Sequence, residues 1–220
     1  VAVSSAGVGV EEIRSLGFDA TCSLVALDEQ GQGLAVSPGE PSDHNIIMWM
    51  DHRAVQETLR INATQDPALR YVGGEVRVER ELPKVLWLKN HFPATWQSAH
   101  RFYDLADFLV WKATACDVAG LCTLTCKWNY LAHEQRFSHS LLDAVELTDL
   151  LNKIPSRILP PGAAVGTLSP DAAQALGLTT AVVVASGMID AHAGGVALAG
   201  VEPAGTLALI SGTSNCHMLC

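Results

Sequence analysis

The chain has 220 residues, of which 49% are hydrophobic and 17% charged, and its formal net charge is −9 at pH 7. This size allows a sizeable buried core, and an acidic chain without basic clusters argues against a nucleic-acid-binding or anionic-membrane surface. The most apolar window, 181–200, is interrupted by Asp190 and His192 and is rich in glycine, so no membrane-spanning segment is predicted.

The six cysteines are scattered through apolar surroundings, and the N-terminus lacks a basic region followed by an apolar one. We therefore expect reduced thiols in a cytoplasmic protein and not a disulfide framework. Two groups invite comparison with zinc sites: Cys122 with Cys126, and Cys216 with His217 and Cys220. Neither has the usual zinc spacing, so no metal site is predicted.

The first half of the chain predicts short strands and helices. Residues 17–27 predict a buried strand, with a turn and a return strand from Leu34 that would close a hairpin. Residues 46–50 predict a short strand. Helices are then predicted from about residue 54 to 62, over 84–90 and over 103–112, where apolar side chains recur at helical spacing. Residues 122–128 are read as a strand or an extended segment.

The second half adds stronger signals. Apolar residues recur at helical spacing over 138–154. Ser169 should cap a short helix over 172–176 that Gly177 ends. Residues 181–185 predict a fully buried strand in the middle of a sheet, and a glycine turn leads from it into a helix through residue 198. Two further strands are predicted at 206–211 and 215–220. Mixed strands and helices without repeats indicate the α/β class.

The strongest chemical signal is VVVASGMIDAHAGG, residues 182–195. A buried strand there delivers its carboxyl end into a glycine turn and a helix, the place where open α/β sheets bind ligands. Asp190 lies where the helix begins. It could accept a proton from a substrate hydroxyl in a phosphoryl transfer, or it could only cap the helix. His192 is expected to be a packing or supporting residue.

Three weaker signals accompany it. The turn that includes Gly212 and Thr213 could point backbone amides at a phosphate, although most such turns only close hairpins and this one lacks the lysine of a P-loop. Trp49, beside polar residues at a strand end, suits the C–H face of a sugar or a position in the core. Lys127 lies in an apolar segment and needs a partner, either a substrate oxygen or a carboxylate.

Five stretches follow one another in a specific order: NIIMWMDHRA (45–54), KVLWLKNH (84–91), CTLTCKWNY (122–130), SGMIDAHAG (186–194) and ISGTSNCHM (210–218). Together they resemble the FGGY family of carbohydrate kinases, closest to its ribulokinase-like branch. The third stretch is typical of that branch, in which its lysine reaches the ketopentose. Glu81 departs from the family's first signature, where proline, serine or threonine is usual.

The resemblance implies two actin-like (ribonuclease-H-like) domains with ATP, Mg²⁺ and a small-molecule sugar in the cleft between them. It makes Asp190 the general base on the sugar hydroxyl. Lys127 and Trp49 would line the sugar pocket, with Ala20 and Glu79 as further pocket residues. Gly212 and Thr213 would approach the γ-phosphate.

The resemblance also implies that the chain is truncated at both ends. The family opens with a strand-turn-strand carrying Asp-x-Gly-Thr, and nothing like it precedes Val1. We expect residues 1–200 to be a sugar-binding domain without its first strands, and residues 201–220 to be the first hairpin of the nucleotide domain. The expected reaction is phosphorylation of a ketopentose, D-ribulose, to the 5-phosphate, with this chain alone inactive. The alternative is a non-catalytic actin-like fragment. The sequence does not indicate an oligomeric state.

Overall fold

In a computed structural model, the structure describes residues 2–200, 204–212 and 215–219. The helices are α1 (Ala2–Ala6), α2 (Val55–Ala63), α3 (Glu81–His91), α4 (Pro93–Ser98), α5 (Leu105–Thr114), α6 (Leu121–Lys127), α7 (His139–Ala144), α8 (Pro170–Leu176) and α9 (Asp190–Ala199). Short 3-10 helices occupy Val10–Glu12, Pro67–Val72 and Thr148–Asn152. No helix in these described ranges has the length and apolarity that crossing a bilayer would need.

The strands are β1 (Ser15–Leu16), β2 (Asp19–Ala20), β3 (Leu24–Leu27), β4 (Ile46–Ile47), β5 (Arg101–Asp104), β6 (Ala119–Gly120), β7 (Ile158–Leu159), β8 (Ala164–Thr167), β9 (Val183–Ala185), β10 (Met188–Ile189), β11 (Leu207–Ser211) and β12 (Asn215–Leu219). They form small sheets in the orders β1-β9-β8 and β4-β3-β5, and the pairs β2-β10, β6-β7 and β11-β12. Strands and helices alternate along the chain, so the predicted α/β class is confirmed.

Apolar side chains gather in two main clusters. The larger surrounds β3 and α3 and includes Leu24, Leu86, Trp96 and Phe102. The smaller packs α5 and α8 against β8 and β9 and includes Val184. Each cluster covers one face of a short sheet with helices, which is how a layered α/β domain removes apolar surface from water.

The strand predicted over residues 17–27 is wrong in detail, because residues 21–23 separate β2 from β3. The hairpin with a return strand from Leu34 is also wrong, and only an isolated bridge from Leu27 to Gly33 remains. All four residues of β3 pair instead with β5, and β4 lies on its other side. The helix predicted to start at residue 103 starts at Leu105 instead, because Arg101–Asp104 form β5. Long-range pairing therefore overrides the local turn signal.

Residues 122–128 lie almost entirely in helix α6, so the extended reading is wrong. The Asp107 carboxylate, from α5, accepts hydrogen bonds from the Gly120 N–H at 2.9 Å and from the Thr123 hydroxyl at 2.7 Å. These bonds satisfy polar groups at the first turn of α6 and favour the helix over a strand. The partner lies more than a dozen residues away, so local propensity does not reveal it.

The helix predicted within 138–154 splits into α7 and a 3-10 segment. The strand over 181–185 is central in its sheet, as predicted, because β9 lies between β1 and β8. It is not fully buried, however. Val184 is inaccessible, whereas Val183 is 36% exposed. The strand therefore presents one face to the core and one toward the surface, so three consecutive valines overstate its burial.

Candidate functional site

The carboxyl ends of two parallel strands define the centre of the site. β2 ends at Ala20 and β10 at Ile189, and these two residues are paired in register. Asp190 follows directly, is exposed and opens α9. Its Oδ1 accepts the Ala191 N–H at 2.8 Å. A carboxylate at a helix N-terminus is stabilised by the unpaired backbone amides there, so this end of the sheet holds a fixed negative group facing solvent.

Lys127 is the last residue of α6, which packs on β10, and its side chain is half-buried. The charges of Lys127 and Asp190 act on the same two groups, the Cys22 thiol and the His192 imidazole. Burial raises the pKa of Cys22, so that thiol stays protonated. The Lys127 ammonium and the Asp190 carboxylate, which the sequence analysis singled out separately, thus act on the same two side chains, Cys22 and His192.

Trp49 contacts the residue that follows Cys22. Its backbone N–H donates to the Ser23 hydroxyl at 3.1 Å, and Ser23 is buried next to Cys22. The Trp49 side chain itself is only half-buried. Of the two readings from sequence, a tryptophan deep in the core is therefore not what the structure has. A partly exposed tryptophan side chain remains.

Glu79 is paired with a histidine side chain. Its carboxylate is half-buried and sits 3.2 Å from the His52 Nε2. The next residue, Arg80, donates from Nη1 to the carbonyl of Cys126 on α6. The residue that follows Glu79 is thereby anchored to the end of the helix that carries Lys127.

Gly212 directly follows β11 in the β11-β12 hairpin. It is exposed and has open space where a side chain would be. Thr213 lies outside the described residues. The hairpin packs on α9, where a side chain at Gly194 or Gly195 would press on Ile210 or Met218. These two glycines allow the close approach of hairpin and helix, so the hairpin is joined to the element that Asp190 opens.

Behind the site lies a group of buried charges that sequence reasoning missed. Lys84 donates to Glu81 at 3.1 Å, and both side chains are at most 1% exposed. Burial raises the pKa of Glu81 to about 7. Burial, with Glu81 and Asp107 nearby, raises the pKa of Asp104 well above its usual range. The only signal for this cluster in the sequence was that Glu81 is unusual for its motif.

A second missed feature lies between α6 and α9. The Cys122 Sγ is 3.1 Å from the His192 Nδ1, and the Cys126 Sγ is 3.7 Å from the same atom. Hydrogen bonds from Cys126, His192 and the Ile189 N–H lower the pKa of Cys122 to about 4. The spacing of the two cysteines, four residues apart, would have indicated this grouping had the segment been read as a helix.

Comparisons with known proteins bear on the family and the fold of the chain. The sequence profile of the N-terminal domain of the FGGY family of carbohydrate kinases matches residues 2–197. The FGGY carbohydrate kinase domain-containing protein of Homo sapiens is 45% identical over 230 residues, which cover 96% of this chain and 42% of that protein. The D-ribulokinase of Saccharomyces cerevisiae is 37% identical over 254 residues, covering 99% of this chain and 36% of that protein.

Among solved structures, a xylulose kinase from Lactobacillus acidophilus superposes with a TM-score of 0.77 at 16% identity, covering 97% of this chain and 41% of that chain. This likeness shows the fold, which is part of the actin-like ATPase fold, as predicted. The chain spans about 40% of the length of the relatives it matches. Because the family profile matches almost the whole chain, this chain belongs to the FGGY family of carbohydrate kinases.

Proposed function

We propose that this chain supplies the sugar-binding part of a kinase that phosphorylates the 5-hydroxyl of D-ribulose with ATP. The observation that carries the proposal is the placement of Asp190 and Lys127 around the carboxyl ends of β2 and β10. Membership of a carbohydrate kinase family supports sugar phosphorylation. The lysine segment 122–130 and the similarity to a D-ribulokinase support the ketopentose.

Each residue has a role that its position allows. The exposed Asp190 carboxylate accepts the proton of the attacking hydroxyl, which is the usual contribution of a general base to phosphoryl transfer. Lys127 donates hydrogen bonds to sugar oxygens, and Trp49 packs its ring against the sugar C–H face. Ala20 leaves room beside Asp190 because its side chain is small. Glu79 accepts a hydrogen bond from a sugar hydroxyl.

The phosphate side of the reaction would use the hairpin turn. Gly212 has open space around its Cα, which lets a backbone amide approach a phosphate closely. Gly212 and Thr213 would hold the γ-phosphate. Bound ATP would supply the phosphoryl group, and a magnesium ion bound with it would neutralise part of its charge. We assign residues 1–200 to the sugar-binding domain and 201–220 to the start of the nucleotide domain. The proposed setting is the cytoplasm, with reduced thiols.

The 220 residues contain no Asp-x-Gly-Thr, the segment with which relatives handle phosphate and magnesium. We therefore propose that this chain by itself does not turn over ATP. The alternative, a non-catalytic actin-like fragment that binds a partner, is favoured by apolar side chains exposed on α9 and β11, such as Leu198 and Leu207. Ligand binding discriminates between the two, because the alternative requires no sugar site.

The first test is Asp190→Asn in protein of full natural length. Loss of a general base should lower kcat by about 10²- to 10⁴-fold, with little change in the KM for D-ribulose. Asp171→Asn is the matched control, because Asp171 is also an exposed aspartate in the first turn of a helix. Undiminished kcat in Asp190→Asn, or an equal loss in both variants, contradicts the assignment.

The second test is thermal unfolding of the 220-residue chain with D-ribulose, L-ribulose, glycerol or Mg-ATP. A ligand that binds only the folded state adds about 2.7 kcal/mol of stability at a hundredfold excess over its Kd. We expect D-ribulose to raise the unfolding midpoint, Lys127→Met to abolish that rise, and Mg-ATP to have no effect. A cooperative transition that no sugar shifts would favour the non-catalytic alternative.

A further inference from the structure

We propose that Cys122, Cys126 and His192 form a binding site for one zinc ion between α6 and α9. Within the part of the chain that the structure describes, this is the one group of three potential ligand atoms close enough to share an ion. The inference revises the expectation, drawn from cysteine spacing, that the chain has no metal site. It does not depend on the proposed kinase function.

The helical conformation of α6 creates the pair of thiols. Residues four apart lie on the same face of a helix, one turn from each other. Cys122 and Cys126 therefore point to the same side, and His192, the third residue of α9, meets them there. An extended conformation would have separated the two sulfur atoms, so the conventional zinc spacings were a poor guide.

The separations suit a tetrahedral ion. Zinc binds sulfur at about 2.3 Å and nitrogen at about 2.0–2.1 Å, so neighbouring ligand atoms lie roughly 3.4–3.8 Å apart. The Nδ1 of His192 is 3.1 Å from one sulfur and 3.7 Å from the other. All three ligand atoms lie within 4.8 Å of one another. Small side-chain rotations would therefore bring them into coordination without moving either helix.

Neighbouring groups hold the two cysteines in place. The Ile189 N–H donates to the Cys122 sulfur. The guanidinium of Arg80 donates a hydrogen bond to the Cys126 carbonyl and so fixes the end of α6. The cysteines and the histidine are half-buried, so an ion could enter from solvent. Two thiolates and one imidazole are a borderline-soft ligand set that suits zinc.

A disulfide between the two cysteines fits less well. Cβ atoms four residues apart on a helix are about 5–6 Å from each other, whereas a disulfide requires about 3.5–4.5 Å. Helix α6 would have to distort to form the bond, and its last residue is Lys127. Three protein ligands leave a fourth position of the zinc for water or another oxygen ligand. The ion would tie α6, which ends at Lys127, to α9, which begins at Asp190.

The experiment titrates Co²⁺ into reduced, metal-stripped protein of full natural length. We expect one equivalent to bind, with visible d–d bands of a tetrahedral ion and a near-ultraviolet thiolate-to-cobalt band, and Zn²⁺ to displace it. Cys122→Ser, Cys126→Ser and His192→Asn should each weaken binding at least roughly tenfold, since each removes a ligand. Cys116→Ser is the matched control, because Cys116 is another half-buried free cysteine.

A second measurement needs no variant. Alkylation of the native protein with and without Zn²⁺, mapped by mass spectrometry, should show protection of Cys122 and Cys126 and no protection of Cys116. Absence of the thiolate-to-cobalt band together with equal alkylation in both conditions would overturn the proposal. So would an equal loss of cobalt affinity in Cys116→Ser and the ligand variants.

Discussion

Two regions of this molecule use similar apolar residues in opposite ways. Around β3 and α3, leucines and aromatic rings pack on one another, and Leu24, Leu82 and Phe102 are inaccessible to solvent. Along α9 and the β11-β12 hairpin, apolar residues of the same kind face solvent, with Leu198 at 60% and Leu219 at 77% exposure. Hydrophobicity alone therefore does not decide burial; the supply of covering elements does.

The comparison bears on stability and on function. The first region gains free energy from removing apolar area from water, about 25 cal/mol for each Å². The second region gains much less from its side chains, although it carries Asp190 and the hairpin turn. The proposed chemistry thus lies at the border between a well-packed part and a sparsely covered part of the chain. Substitutions in each part test this difference.

The largest effect is expected at the buried ion pair of the first region. Lys84→Ala leaves Glu81 buried without its partner and should lower the free energy of unfolding by about 3–5 kcal/mol. Replacing both residues, with Glu81→Leu and Lys84→Met, should restore most of the loss because neither member of the ion pair is then left buried without its partner. Denaturant unfolding measures both. Equal destabilisation by the single and double variants would show that packing, not charge, governs the site.

The next effect compares leucines directly. Leu86→Ala removes a side chain that is 1% exposed and should cost about 2–5 kcal/mol, because it loses burial and leaves a cavity. Leu209→Ala, at 52% exposure on β11, should cost well under half as much. Thermal or denaturant unfolding of the two variants side by side gives the difference. Similar costs would mean that the hairpin is covered in solution.

The smallest effect concerns the contact between α5 and α6. Burial raises the pKa of Asp107 to about 7 from its usual value of 3.8. The folded state thus holds this proton more tightly than the unfolded state. Its contribution is fully present below about pH 4 and is lost as pH rises through 7. We expect a loss on the order of 1 kcal/mol, which denaturant unfolding between about pH 4 and pH 7.5 measures.

Asp107→Asn tests this pH dependence. The amide cannot titrate, yet it can accept from the Gly120 N–H and donate to the Thr123 hydroxyl, which already donates to the Gly120 carbonyl at 2.8 Å. The variant should lose less stability than the parent chain between pH 4 and pH 7.5. An unchanged pH profile, with Asp171→Asn as the exposed control, would assign the titration to other groups.

Sequence reasoning succeeded where chemistry depends on local order. Residues 181–194 predicted a strand, a glycine turn and a helix opening at Asp190, and the structure has β9 and α9 in these places. The two-residue strand β10, which lies within the predicted turn, was not predicted. Sequence reasoning failed at the hairpin from Leu34, because β5, far along the chain, pairs with all of β3. The sequence-based prediction of an extended segment at 122–128 was also wrong, because Asp107 of α5 accepts a hydrogen bond from Thr123 and favours the helix there.

The sequence by itself determined the family, the α/β class and the identity of the candidate residues, because ordered motifs and strand-to-helix transitions are local patterns. Only the tertiary structure decided which residues meet. The buried pair of Glu81 and Lys84 depends on the helical state of one segment, and the grouping of two cysteines with His192 joins two distant helices. Such contacts follow from packing that satisfies the whole chain at once, and no single window of sequence contains that information.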